Sequence, residues 1–195
     1  MKLSCLQENL SKGLSIVGRA VPSRTTMPIL GNVLMATDQG QLKLAATNLE
    51  LSIVHWVGAR VETEGEITVP ARNFIDLVNS LPPEQVDMEI DPSSLSMALS
   101  CGTVNASFRG ISAEEFPVVP DPEDGDGFAV EAGDLRKGLG QVTFAASTDE
   151  GHAVLTGVLA EFEGETLTLA AADGFRLSAR HIPMIHPVPH PFDVI

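Results

Sequence analysis

The sequence predicts an α+β protein of tandem modules, each an antiparallel sheet backed by two helices, with the second module incomplete. Three observations predict this fold class: the sequence repeats itself, each repeat opens with a helical apolar pattern followed by strand patterns, and an acidic segment separates the repeats. Module one is expected over residues 1–120, a linker over 121–127, and the first part of module two over 128–195.

The repeat appears when the sequence is shifted by 125 positions, which aligns Lys2–Val57 with Gly127–Ile182 without a gap. A helical group is identical in both copies: Leu10, Lys12, Gly13, Leu14, Val17 and Ala20 recur as Leu135, Lys137, Gly138, Leu139, Val142 and Ala145. A strand group is also identical: Leu30, Val33, Leu34, Leu42, Leu44, Ala45 and Ala46 recur as Leu155, Val158, Leu159, Leu167, Leu169, Ala170 and Ala171. Because chance similarity would not hold this register through a helix and several strands, both copies should share one fold.

Three helices are predicted from apolar spacing. In the first, the residues at helical spacing on the apolar face are Leu10, Leu14, Val17 and Val21, with Lys12 and Arg19 opposite. The second opens at Pro70, and its apolar stripe is Phe74, Leu77, Val78 and Leu81, with Arg72, Asp76 and Asn79 opposite. The third is expected over Asp134–Ala146, at the position that the repeat assigns to the first.

Strands are predicted where β-branched and apolar residues run between turn residues. In module one they are Ile29–Ala36, Leu42–Ala46, Leu49–Val57, Gly65–Val69, Val86–Ile90, Leu95–Ser100 and Thr103–Arg109. In module two they are Phe128–Val130, Val154–Glu161, Thr166–Ala172 and Phe175–His181. Since Ile195 aligns with Pro70, where the second helix opens, we expect the sequence to be a fragment of a longer protein.

Composition indicates a soluble, cytoplasmic protein with no membrane partner, because no apolar run is long enough to span a bilayer and the start lacks a secretion signal. The formal net charge of -14 argues against a protein that grips nucleic acid by neutralising many phosphates. Cys5 and Cys101 have no CxxC spacing and are expected to be reduced, buried thiols.

No catalytic, metal or cofactor pattern is present, so a non-catalytic protein is expected. The sequence lacks the GxSxG, GxxxxGK[ST] and HExxH motifs. His181, His186 and His190 lie among prolines without neighbouring cysteines, which favours an extended solvated segment over a zinc site.

Four short runs are specific enough to compare with a known family: Thr26–Asn32, Thr68–Phe74, Glu115–Pro117 and Ala172–Ser178. Together they resemble the beta subunit of bacterial DNA polymerase III, the replicative sliding clamp. The resemblance implies DNA-clamp modules, three in each subunit, which close as a head-to-tail homodimeric ring around double-stranded DNA in the full-length form. The third module is absent from this sequence, and module two is present in part.

The resemblance also implies a DNA-binding set on the free helix faces and in one loop: Lys12, Arg19, Arg24, Arg72, Asn79 and Lys137. A closed ring retains DNA by topology, so a few basic residues lining the hole suffice despite the negative net charge. The alternative is that these residues form ordinary solvated helix faces.

A second site implied by the resemblance is an apolar pocket for short linear peptides, formed by Leu155, Gly174, Phe175, Arg176 and Leu177. Through it the family binds the DNA polymerase III catalytic subunit, the clamp loader and repair polymerases. The function expected is therefore a DNA sliding clamp, the processivity factor of the replicative polymerase. The alternative is a truncated, clamp-like protein-interaction adaptor that does not encircle DNA.

Overall fold

The structure, a computed structural model, describes residues 1–119 and 127–195. The chain divides into two units, Met1–Pro120 (unit one) and Asp121–Ile195 (unit two). Apart from Gly127, the predicted acidic linker lies outside the described residues. No helix in the described part of the chain is long and apolar enough to cross a membrane.

Unit one contains two α-helices and nine strands. The helices are α1 (Gln7–Val17) and α2 (Ala71–Ser80). The strands are β1 (Lys2–Leu6), β2 (Asn32–Asp38), β3 (Gln41–Thr47), β4 (Ser52–Val57), β5 (Arg60–Thr63), β6 (Glu66–Pro70), β7 (Gln85–Asp91), β8 (Ser96–Cys101) and β9 (Val104–Arg109). Short 3-10 helices follow α1 at Gly18–Ala20, precede β2 at Pro28–Gly31, and lie at Ala113–Glu115.

The strands of unit one form two antiparallel sheets, whereas the sequence pattern predicts a single sheet in this module. One sheet has the order β5-β1-β7-β8-β9 and the other the order β4-β3-β2-β6. Strands β1 and β5, which were not predicted, create the first sheet, since β1 pairs with both β5 and β7. The α+β class and the helix-backed arrangement are confirmed.

The two helices of unit one bury their apolar faces in one core that includes residues of both sheets. Leu10, Leu14 and Phe74 are fully buried there. The helices are tied together where Gln7 Nε2 donates to Val78 O and Ser11 Oγ donates to Asn79 Oδ1, both at 2.7 Å. Pro70, the predicted first residue of the second helix, instead ends β6, and α2 begins one position later at Ala71.

A smaller cluster in unit one is made by the segment that follows β9. Phe116, which is 8% exposed, packs with Ile29, Leu30 and Ala45. The segment is fastened to β6 because Ile111 and Thr68 exchange two backbone hydrogen bonds, and Thr68 Oγ1 donates to Ile111 O at 3.0 Å.

Unit two repeats the first half of this plan. Its elements are α3 (Ala132–Val142), β10 (Leu159–Glu163), β11 (Thr166–Ala172), β12 (Leu177–Pro183) and β13 (Phe192–Val194), and the sheet order is β12-β11-β10-β13. The registers Leu159↔Ala170 and Leu167↔Ile182 reproduce Leu34↔Ala45 and Leu42↔Val57 of unit one, residue for residue after the shift. The repeat therefore specifies the same central strand pairing twice.

Both units pack a helix glycine against the same pair of strand residues. A Cβ atom added to Gly13 would lie 2.7 Å from Val57 Cγ2 and 3.1 Å from Leu44 Cδ1. A Cβ atom added to Gly138 would lie 2.5 Å from Ile182 Cδ1 and 3.3 Å from Leu169 Cδ1. Since these residues correspond under the shift of 125 positions, the close helix-to-strand contact is part of the repeated unit.

Several predicted strand boundaries are wrong, each for a local reason. The strands predicted from Ile29 and Val154 begin later, at Asn32 and Leu159, because 3-10 helices precede them. The strand predicted from Leu49 begins at Ser52, because Asn48 Oδ1 accepts hydrogen bonds from two backbone N–H groups of the preceding turn. At Phe128–Val130 only a single bridge forms, between Val130 and Met184, and β13 was not predicted.

Both cysteines are free and buried in the core of unit one, as expected. Burial raises the pKa of the Cys5 thiol to about 12, and the Asp87 carboxylate adds to the effect. Burial also raises the pKa of Cys101.

Candidate functional site

The first two predicted DNA-binding residues lie on α1 and on the 3-10 helix that follows it. Lys12 is exposed on the side of α1 opposite the buried Leu14, and Arg19 is exposed in the 3-10 helix Gly18–Ala20. Glu8 and Ser15 lie on the same face, so the face is mixed rather than purely basic. Arg24 is exposed in the segment that leads from this helix towards β2.

The remaining predicted DNA-binding residues lie on the other two helices. Arg72 and Asn79 are exposed on α2, and Asn79 accepts the hydrogen bond from Ser11 that joins the two helices of unit one. Lys137 is exposed on α3, at the position of the repeat that Lys12 occupies on α1. Among residues 1–119 and 127–195, none of the five predicted cations lies within ion-pair distance of a carboxylate.

The turn between β11 and β12 is built around Asp173. Its Oδ1 accepts hydrogen bonds from the backbone N–H groups of Phe175 at 3.0 Å and Arg176 at 2.9 Å. Its Oδ2 accepts from Arg176 Nε at 2.8 Å. Gly174 has φ +88, a left-handed conformation that glycine adopts without strain. The backbone N–H groups of Arg176 and Phe175 are the largest causes that lower the pKa of the Asp173 carboxyl below its ordinary value.

Four of the five predicted pocket residues line one open groove of about 480 Å³, which we call the polar groove. They are Leu155, Gly174, Phe175 and Arg176, joined by Asp149, His152, Asp173 and the segment 146–148. Asp149 Oδ2 lies 3.4 Å from His152 Nδ1. The groove therefore combines two carboxylates with a guanidinium and an imidazole.

The fifth predicted residue, Leu177, lines a neighbouring groove of about 220 Å³, which we call the apolar groove. Its other lining residues are Val154, Leu155, Gly157, Leu159, residues 170–172 and Ile195. Because Leu155 lines both grooves, the structure brings all five predicted residues together on one surface of unit two. Phe175 is fully exposed and Leu177 is 72% exposed, which is unusual for large apolar side chains.

Sequence reasoning expected the tight turn at Asp173-Gly174 but did not assign Phe144 or Val154 to this surface. Phe144 is 59% exposed, and the guanidinium carbon of Arg176 lies 5.7 Å from the centre of its ring. The repeat offered a signal, since Phe144 occupies the position that Arg19 has in unit one.

No group of three potential metal ligands among His, Cys, Asp and Glu comes together in the part of the chain that the structure describes. Of the three histidines considered for zinc, His181 lies on β12, where its Nδ1 is 3.0 Å from Thr168 Oγ1. His186 and His190 line a separate surface depression with Phe128 and Phe192.

Comparison with known families decides the identity. The sequence profile of the DNA polymerase III beta subunit, N-terminal domain, matches residues 1–120, and that of the central domain of this subunit matches residues 129–195. The chain belongs to the DNA polymerase III beta subunit family. The resemblance and the clamp fold predicted from the sequence are confirmed.

Similar proteins agree in name and fold. The chain is 40% identical over 190 residues to the beta sliding clamp of Synechocystis sp., covering 94% of this chain and 49% of that protein. It is 41% identical over 180 residues to the beta sliding clamp of Synechococcus elongatus, covering 91% of this chain and 48% of that protein. The chain thus spans about half the length of these relatives.

Solved structures extend the agreement to three dimensions. The sliding clamp from Bacillus subtilis superposes with a TM-score of 0.94 at 26% identity, over all of this chain and 53% of that one. A sliding clamp from Pseudomonas aeruginosa, bound to griselimycin, has a TM-score of 0.90 at 31% identity, again over all of this chain and 53% of that one.

Proposed function

We propose that the complete protein to which this chain corresponds is a DNA sliding clamp, which encircles duplex DNA and tethers replication proteins to it. Membership of the DNA polymerase III beta subunit family, over both units, is the observation that carries the proposal. Homodimeric ring closure and the division into modules at 1–120, 121–127 and 128–195 belong to the same proposal, because the chain spans about half of its relatives.

The proposed DNA-facing residues are Lys12, Arg19, Arg24, Arg72, Asn79 and Lys137. Their support is exposure without carboxylate partners in the described residues, and the recurrence of the lysine at one position of the repeat on α1 and α3. A protein of net charge -14 cannot hold DNA by dense phosphate contacts. A few unpaired cations are enough when the ring itself prevents dissociation, and weak contacts favour sliding.

The proposed partner site consists of the polar and apolar grooves of unit two. Large exposed apolar side chains beside an arginine suit a short peptide whose apolar residues are buried while its backbone is oriented by hydrogen bonds. The proposed partners are the DNA polymerase III catalytic subunit, the clamp loader and repair polymerases.

A loading assay tests DNA encirclement. This chain and, as a positive control, the full-length Synechocystis clamp would be incubated with a clamp loader, ATP and nicked circular DNA, then separated from free protein by gel filtration. We expect the full-length protein to remain on circular DNA and to leave after linearisation. Glutamate introduced at the positions of the control that align with Lys12 and Lys137 should reduce retention.

A matched variant separates a DNA contact from a general charge effect. Lys43 lies on β3, 5.8 Å from the centre of the Trp56 ring, on a strand rather than a helix. The same substitution there, Lys43→Glu, should leave retention unchanged. Equal losses from all three substitutions would contradict the proposed DNA-facing set. If the full-length control stays on DNA only through partner proteins that bind it, and linearising the DNA does not release it, the adaptor function is the better interpretation.

Griselimycin provides the test of the grooves, since a relative of 31% identity binds it. We propose that it binds unit two at Leu155 and Leu177. Isothermal titration calorimetry should show binding to the unmodified chain and its loss in Leu177→Asp, while Leu49→Asp, at another exposed leucine in unit one, should bind normally. Binding that survives Leu177→Asp would place the ligand elsewhere.

A further inference from the structure

Arg176 has one side of its guanidinium fixed by the protein and the other side free. An arginine offers five N–H donors in a planar fork. The Nε–H donates to Asp173, and in the described residues no other hydrogen bond or ion pair involves the guanidinium. Its terminal amino groups therefore remain available where the residue lines the polar groove.

Two side chains determine where that guanidinium points. Asp173 binds the Nε–H from within the turn, and its own side chain is 19% exposed, against 57% for Arg176. Phe144, in the 3-10 helix Thr143–Ala145 that follows α3, places its aromatic ring against the guanidinium. An arginine restrained in this way loses less conformational freedom when a ligand binds than a freely rotating one.

The two units show that this arrangement is an addition to the repeated fold. Under the shift of 125 positions, Phe144, Asp173 and Arg176 correspond to Arg19, Asn48 and Leu51. Asn48 forms the same kind of turn, since its Oδ1 accepts from the backbone N–H groups of Glu50 and Leu51. The turn itself therefore needs only a side-chain oxygen, and it needs neither the second carboxylate oxygen nor the arginine that this oxygen binds.

We propose that Asp173 and Phe144 are positioning residues for ligand recognition: they hold the Arg176 guanidinium at the polar groove, with its amino groups directed to an acceptor of a bound peptide. The inference rests on the proposed peptide-binding function of the same surface. The ligand class is a linear peptide that combines apolar side chains with a carbonyl or carboxylate oxygen placed for Arg176.

The experiment uses the intact chain and a fluorescein-labelled linear peptide, selected from a random library against this chain and displaced by griselimycin. Asp173→Asn keeps an oxygen for the two backbone N–H groups but removes the acceptor for Arg176 Nε. We expect it to raise the peptide Kd about tenfold. Phe144→Ala should raise the Kd about threefold.

A double-mutant cycle separates positioning from a structural role. In an Arg176→Gln background, Asp173→Asn should change the Kd by less than about twofold, because the group that it positions is gone. NMR should show slow solvent exchange of the Arg176 Nε–H in the unmodified chain and fast exchange in Asp173→Asn. Glu163→Gln, which removes an exposed carboxylate on β10 outside both grooves, is the matched control.

Each outcome bears on a different claim. If the unmodified chain binds neither the peptide nor griselimycin, the proposed pocket fails and this inference fails with it. If the unmodified chain binds and Asp173→Asn binds equally well, the pocket stands and the positioning role is overturned. If Asp173→Asn weakens peptide binding as much in the Arg176→Gln background as in the unmodified chain, the positioning role is also overturned, because Asp173 would then act independently of Arg176.

Discussion

Leu30 and Leu155 occupy the same position of the repeat, but unit one buries the first and unit two leaves the second partly exposed between two grooves. In unit one, Phe116 and its neighbours cover Ile29, Leu30 and Ala45. In unit two the corresponding Val154, Leu155 and Ala170 line the apolar groove. In the described residues, the same scaffold therefore carries a covered cluster in unit one and an exposed surface in unit two.

The two units share the scaffold beneath this difference. The repeat fixes the helix-to-strand contact and the central strand register in both units. The covering segment, residues 111–119, follows β9 and lies outside the part of unit one that aligns with unit two.

Removing the cover from unit one should have the largest effect. Phe116→Ala deletes a buried ring, and we expect it to lower the free energy of unfolding of unit one by about 3–5 kcal/mol. Trp56, the one tryptophan of the chain, lies in unit one, so its fluorescence during urea unfolding reports on this unit. Phe175→Ala, a fully exposed phenylalanine of unit two, should leave the transition unchanged. Equal midpoints for the two variants would contradict the covering role.

Loosening the attachment of the cover should have an intermediate effect. Thr68 is fully buried, accepts a hydrogen bond from Asn32 Nδ2 at 3.0 Å, and donates to Ile111 O. Thr68→Val leaves a buried amide without its acceptor, so we expect a loss of about 1–3 kcal/mol, measured by the same fluorescence transition. The corresponding residue of unit two, Asp193, is exposed, and Asp193→Val should change stability by less than about 0.5 kcal/mol as judged by hydrogen exchange.

Filling the shared glycine contact should have a smaller effect that differs between the units. An added methyl at Gly13 meets the stiff, β-branched Val57, whereas at Gly138 it meets the terminal Cδ1 of Ile182 first. Overpacking costs about 1–3 kcal/mol, and the higher helix propensity of alanine returns about 1 kcal/mol. Gly13→Ala should therefore destabilise its unit by about 1 kcal/mol more than Gly138→Ala does, as measured by hydrogen exchange. The reverse order would show that Ile182 cannot move.

The smallest effect concerns one turn carboxylate in each unit. The side chains of Ser93 and Ser94 lower the pKa of Asp91 from its ordinary 3.8 to about 2, and the pKa of Asp173 is also lowered. Because both folded-state values lie below the unfolded ones, the stabilisation is present above about pH 4 and is lost as the pH falls through the folded-state pKa. Carboxyl NMR titration checks the values, and Asp91→Asn should reduce the acid sensitivity of unit one. A titration midpoint of Asp91 above 3.8 would contradict the hydrogen-bonded turn.

Much of the fold followed from the sequence because the signals were local or repeated. The helix faces with Leu10, Leu14 and Phe74 inside are confirmed, and Thr166–Ala172 matches β11 at both ends. The unpredicted strands β1, β5 and β13 are short segments whose pairing depends on distant parts of the chain. Their own alternation was too brief to identify them.

The candidate site was predictable as a list of residues but not as a geometry. The resemblance named Leu155 and Gly174–Leu177, and the structure places them around two adjoining grooves. Phe144 was not assigned to the site in this way, because its contact with Arg176 depends on the tertiary structure. The two residues lie 32 positions apart in the sequence, Phe144 in a 3-10 helix and Arg176 in a turn. Which cations face DNA stays a prediction, since exposure alone does not identify a ligand.

The lack of a side chain at Gly13 of α1 also affects Lys12, the residue before it in sequence. Rotation of the helix about its own axis would bring a bulkier residue against Val57 and Leu44, so the close contact at Gly13 fixes the rotation of the helix. Lys12 precedes Gly13 by one residue, and Lys137 precedes the equivalent Gly138. Each lysine therefore adjoins the glycine at which its helix packs most closely on the sheet.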